Sequence, residues 1–205
     1  MKKMVFAILL AATLWTIMFS PWTAPHVSFW WMMTFSAVTL SVMSTCFCPG
    51  WWSGMKWLSP AQWLLGVVIA ASLWGVFWLG DKLSAWMFDF ARPQVDMIYG
   101  MRDGYSPWLL TGLMLFLIGP AEEIFWRGYV QRQLSERWSA NVGFVVTTLV
   151  YSLVHISKCN FMLLMAAAVA GFAWGFLYRV RPQWFPAIVI SHALWDVAVF
   201  IWFPI

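Results

Sequence analysis

Residues 108–137 read WLLTGLMLFLIGPAEEIFWRGYVQRQLSER. The first fourteen positions carry no charge. Glu122, Glu123 and Arg127 then interrupt a run that is otherwise apolar up to Val130. A helix needs about 20 apolar residues to cross the hydrocarbon core of a bilayer. An ionisable group inside such a span costs about 2.5 kcal/mol or more on insertion scales, so each one needs a partner or a task. The stretch predicts a membrane-crossing helix with a polar centre.

The rest of the chain agrees with that reading. Of 205 residues, 62% are hydrophobic and only 10% charged, too few charges to cover a soluble domain of this size. Mean hydropathy is +0.75. Seven apolar segments are expected, at 4–20, 27–46, 61–80, 108–126, 140–157, 160–178 and 184–203. Pro21, Pro25, Pro49-Gly50, Ser59-Pro60 and Arg181-Pro182 punctuate them. The fold expected is all-α and integral to the membrane, with about seven transmembrane helices and a single membrane domain over 1–205. Within it, 1–80 hold the N-terminal spans, 81–107 a polar connection and 108–203 the core helices that carry the chemistry. Residues 83–90, LSAWMFDF, suit a short amphipathic helix at the membrane surface. Lys2 and Lys3 ahead of an apolar run resemble a signal peptide. No small-x-small cleavage site follows cleanly, so the run reads as a retained first span.

Basic residues set the expected orientation. With the N-terminus cytoplasmic, Lys2, Lys3, Lys56, Arg127, Arg132, Arg137, Arg179 and Arg181 fall inside, and Lys82, Arg92, Arg102 and Lys158 outside. The compactness and simple N-terminus suggest a bacterial inner membrane. The net charge of +4 is scattered between spans, without the basic stripe that nucleic acid requires. Cys46, Cys48 and Cys159 give no disulfide framework and read as reduced thiols. The 18 Trp and 17 Phe read as interfacial anchors and membrane packing. Asn141 and Asn160 read as helix caps.

Three spans carry polar pairs at helical spacing: Glu123 with Arg127, Tyr151 with His155, and His192 with Asp196. Glu122 is turned about 100° from Glu123 and faces elsewhere. At 1.5 Å per residue, short antiparallel turns bring Glu122, His155 and Asp196 to similar depths, with His192 about one turn away. Two carboxylates, two histidines and an arginine suffice for hydrolysis. A desolvated carboxylate can act as general base toward water, and a histidine can polarise that water. A second polar pair can face the oxyanion. The same four residues, Glu122, His155, His192 and Asp196, could instead hold Zn²⁺. Absence of an HExxH pair favours the metal-free alternative and no cofactor. Two rival classes use the same residues: a non-catalytic immunity or scaffold protein, and a small transporter. A transporter should show inverted repeats or broken helices in matching halves, and neither is evident.

In order and spacing, Glu122-Glu123-x₃-Arg127, Tyr151-x₃-His155 and His192-x₃-Asp196 resemble the three motifs of the CPBP family. That family comprises CAAX-protease-type (Rce1-like) and bacteriocin-processing (Abi) intramembrane endopeptidases. The resemblance covers about 108–203. It implies Glu122 as the water-activating base, His155 as its partner, and His192 with Asp196 on the oxyanion side. Glu123 and Arg127 would form a structural ion pair, with Tyr151 packing behind the site. It also implies a membrane-associated peptide or protein substrate and a bilayer as partners, with no nucleic acid. Tyr151 stands where the family usually has Phe, and Asp196 where it often has Asn. The second departure bears on chemistry, because an ionised Asp accepts hydrogen bonds but cannot donate one.

Overall fold

The computed structural model describes residues 1–50 and 59–205; Lys56 lies outside them. Helices account for nearly all the described residues, and six are long and apolar enough to cross a membrane. In chain order the elements are α1 (Lys2–Phe19), α2 (Phe29–Phe47), α3 (Pro60–Met87) and α4 (Ala91–Tyr99). Then come α5 (Pro107–Arg137), α6 (Ala140–Leu153, ending in a 3₁₀ turn at Ile156–Lys158), α7 (Phe161–Val180) and α8 (Pro182–Trp202). The expected segment 27–46 is α2, which is not among the six. It nevertheless lies antiparallel along α1. Phe19 packs on Phe29 at one end, and the Lys3 ammonium sits over the Phe47 ring at the other.

Helix ends follow local chemistry. Pro60 and Pro107 open α3 and α5, where a missing N–H costs nothing. Ser139 caps α6 by accepting from Val142 N, and Asn160 caps α7 by accepting from Leu163 N. Asn141 is not a cap: it lies inside α6 and accepts from Arg179 Nε at 2.6 Å, pinning the ends of α6 and α7 together. The expected surface helix at 83–90 is also displaced. Residues 83–87 belong to α3, and the short helix is α4. Asp81 does not end the span, because Lys82 and Arg92 pair with its carboxylate.

α8 is the central helix: 72% of its most apolar window is buried inside the protein, against 17% for α3. A Cβ on Gly66 of α3 would meet Ile190 of α8 at 2.7 Å, and one on Gly119 of α5 would meet the Ala193 Cα at 2.8 Å. Missing side chains thus let α3 and α5 approach the α8 backbone, as small residues do in membrane bundles. Outward faces carry large apolar side chains such as Phe116 (81% exposed), Leu64 and Leu149, which suit lipid.

Pro120 shapes α5. It has no N–H to donate, and its ring would clash with the carbonyl four residues back. The chain relaxes into a wider π turn over Met114–Ile118, and a second π turn covers Ile124–Gln131. Glu122 and Glu123 sit between the two, and π turns of this kind recur at functional sites.

Candidate functional site

A cavity of about 530 Å³ opens among the helices, and its wall includes Glu122, Tyr151, His155, His192 and Asp196. Residues from three separated spans thus face one space, as their depths predict. The enclosure is wider than the three motif-bearing spans: Trp15 of α1, Trp30 of α2, Phe77 of α3 and Ala170 of α7 also line it. The surface is otherwise almost wholly apolar.

On one side lies a buried polar chain. Arg127 Nη1 donates to Glu123 Oε1 at 2.9 Å, and both side chains are fully buried. The same oxygen faces His192 Nδ1 at 2.7 Å. A carboxylate only accepts, so Nδ1 carries the hydrogen. His192 Nε2 then lies 3.5 Å from Asp196 Oδ1. Arg127 Nη2 reaches across to the Gly171 carbonyl at 3.1 Å. A Cβ on Gly171 would strike the Tyr151 ring at 2.7 Å, so glycine there lets α6 and α7 close over the arginine. Trp174 stacks on the His192 ring with centroids 3.8 Å apart, and its indole N–H donates to Ser191 Oγ. Glu123 and Arg127 are therefore the expected ion pair, and Glu123 is also the anchor of His192.

His155 lines the same cavity. α6 gives way to a 3₁₀ turn here, so the His155 amide bonds to Ser152 O rather than to Tyr151 O. The carbonyl left over accepts from His155 Nδ1 at 2.8 Å. Nε2 is then the acceptor of the neutral ring, and it receives the Trp15 indole N–H at 3.2 Å.

Glu122 lines the same cavity. It is 9% exposed, and its Oε2 has no hydrogen-bond partner among the described residues. The Tyr151 side chain approaches its carboxylate. At the cavity mouth, Tyr99 of α4 accepts from Ile205 N, and burial holds its phenol above its ordinary pKa.

Zinc would need imidazole nitrogens with free lone pairs. Both ring nitrogens of His155 are engaged, and His192 Nδ1 carries the hydrogen given to Glu123. Among the described residues no group of three or more His, Cys, Asp or Glu is disposed to hold a metal ion. As arranged, His155 offers a metal no free ring nitrogen, and His192 offers only Nε2.

Sequence reasoning overlooked Trp15 and Trp174. Both were absorbed into the general tryptophan excess. Their depth was the available signal: Trp15 lies about a turn inside the end of α1 and Trp174 near the middle of α7, away from the interfacial positions that anchor a span.

No curated protein and no solved structure matches the chain. The family model described as type II CAAX prenyl endopeptidase Rce1-like matches residues 104–198, just under half of the chain. That stretch contains all three motifs and every polar residue of the cavity wall except Asp81, Ser84 and Tyr99. Over residues 104–198, this multi-pass membrane protein is similar to the Rce1-like branch of the CPBP protease family.

Proposed function

We propose that the chain is an intramembrane endopeptidase of the metal-independent, glutamate-dependent kind. Its substrate would be a peptide or protein segment associated with the membrane, such as a prepeptide or a C-terminal sorting or CAAX-like signal. The observation that carries this reading is the Glu122 carboxylate. It is buried on an apolar cavity wall, one oxygen has no protein partner among the described residues, and His155 and His192 line the same cavity.

In the proposed reaction Glu122 takes a proton from water. The hydroxide attacks the scissile carbonyl carbon, and the carbonyl oxygen becomes the oxyanion. His155 polarises the water. His192 and Asp196 face the oxyanion. With Nδ1–H bound to Glu123, an Nε2–H is the ring's donor in that direction, shared with Asp196. The tetrahedral intermediate collapses as the C–N bond breaks. Glu122 returns its proton to the leaving amine, so one water is consumed and two peptide products form. The apolar wall suits a hydrophobic substrate segment and keeps bulk water out, which strengthens these electrostatic contacts. The distribution of basic residues supports a cytoplasmic N-terminus.

The test is cleavage of a co-reconstituted membrane-peptide library by the purified chain, with and without chelator, read by mass spectrometry of new termini. Cleavage that chelator leaves intact is expected. Loss on chelation with recovery on adding zinc would move the chemistry to a metal. No cleavage by folded protein would favour the immunity or scaffold alternative.

A further inference from the structure

Trp15 lies on α1, far outside the matched stretch 104–198, yet it makes a direct hydrogen bond to a residue of the candidate site. The contact is specific in chemistry. The Tyr151 carbonyl can only accept, so it fixes the hydrogen of His155 on Nδ1 and leaves Nε2 as the ring's single acceptor. The indole N–H can only donate, and it meets that lone pair at 3.2 Å. Trp15 is 1% exposed, so neither group has bulk water as a substitute.

The indole is itself held firmly. It packs edge-on against Trp126 of α5 (6.5 Å, 85°), and Trp126 packs edge-on against Tyr151 of α6 (5.4 Å, 80°). Tyr151 in turn meets the His155 ring at 5.3 Å. Three aromatic rings from three helices thus close a circuit with the imidazole. Phe19, one turn beyond Trp15 on α1, covers another side of it at 5.5 Å.

We propose that Trp15 is a positioning residue of the site, acting through His155. Tyr151 O selects the tautomer, and Trp15 sets the direction and availability of the Nε2 lone pair. Any water that His155 polarises beside Glu122 must share or take over the place of the indole N–H. At 3.2 Å the bond is at the long limit for an N–H donor, so the exchange is cheap. Without the indole donor the lone pair would be buried and unsatisfied, and the ring would turn toward another donor. This inference rests on the function proposed above, which assigns His155 its task.

The experiment replaces Trp15 with 3-benzothienylalanine, which keeps the fused ring and puts sulfur in place of N–H; Trp15→Phe is the second variant. Two quantities are read on the full chain in micelles. One is the ¹⁵N spectrum of the three histidines, with His155 assigned by its loss in His155→Ala. The other is kcat and KM on the library peptide that wild type cleaves fastest. The proposal expects the His155 Nε2 resonance to move while those of His26 and His192 stay. It expects kcat to fall about 10- to 100-fold, the range typical of a lost partner that orients a functional ring, with KM within about twofold. An unmoved Nε2 resonance overturns the contact. A moved resonance with unchanged or raised kcat overturns the positioning role. If wild type cleaves nothing in the library, the proposed function fails instead, and the spectrum still decides the Trp15–His155 contact separately.

Discussion

Glu122 and Glu123 are neighbours with different surroundings, and that difference makes them separable. Glu123 is fully buried and satisfies both Arg127 and His192. Glu123→Gln leaves a buried guanidinium without its counter-charge and should cost about 3–5 kcal/mol, as broken buried pairs do. Thermal unfolding in micelles should show a lowered Tm, with cleavage lost alongside it. A variant that melts like wild type would remove the ion pair from the account. Asp196 makes a finer test. Asp196→Ala should lower kcat by about 10²–10³, because His192 Nε2–H, the donor on the oxyanion side, loses the carboxylate beside it. Asp196→Asn, which can both accept and donate, should lose less, and equal losses in the two would count against an oxyanion role. At this scale the motif residues were legible because four-residue spacing in an apolar helix leaves them few alternatives. Trp15 and Trp174 were not, because their ring contacts join helices far apart in sequence and leave no local pattern.

At the scale of elements, the site depends on how closely α5 approaches α8. Gly119 sets that distance, since its absent Cβ would lie 2.8 Å from the Ala193 Cα. The obstacle is backbone and cannot rotate away. Gly119→Ala should therefore destabilise by about 1–3 kcal/mol, the usual cost of overpacking. It should also separate Glu123 from His192, so that activity falls by more than the loss of folded protein explains. Retained stability and activity would show that the two helices are less tightly coupled than these distances imply. Periodicity located the spans well, but it missed two features of the elements. Asp81 and Lys82 looked like the end of a span, yet pairing with Arg92 lets α3 continue to Met87. The π turns in α5 have no sequence period of their own, and Pro120 was a visible cue only for the first.

For the whole molecule, six helices are long and apolar enough to cross a membrane, and α2 lies antiparallel beside α1. The three cysteines test the orientation, because all are free and they mark opposite ends. Cys46 and Cys48 lie where α2 ends, close to the Lys3 end of α1, and Cys159 lies beyond α6 next to the start of α7. With the N-terminus cytoplasmic, a membrane-impermeant maleimide should label exposed Cys159 on intact cells, and exposed Cys46 only after permeabilisation. The reverse pattern would invert the topology and put the cavity mouth on the cytoplasmic face. Sequence gave the spans and the three motifs. It placed the cavity among only three helices, whereas packing recruits α1, α2, α3 and α7 to its wall.

The central claim is that Glu122 activates water. Its most direct test is single-turnover cleavage of the best library peptide by Glu122→Gln beside wild type, with Tm measured on both. Glu122 belongs to no ion pair among the described residues, so the amide should fold as well as the carboxylate. The account predicts an unchanged Tm and a rate lowered by at least about 10²–10⁴, the contribution of a general base. A folded Glu122→Gln that cleaves at the wild-type rate would contradict it.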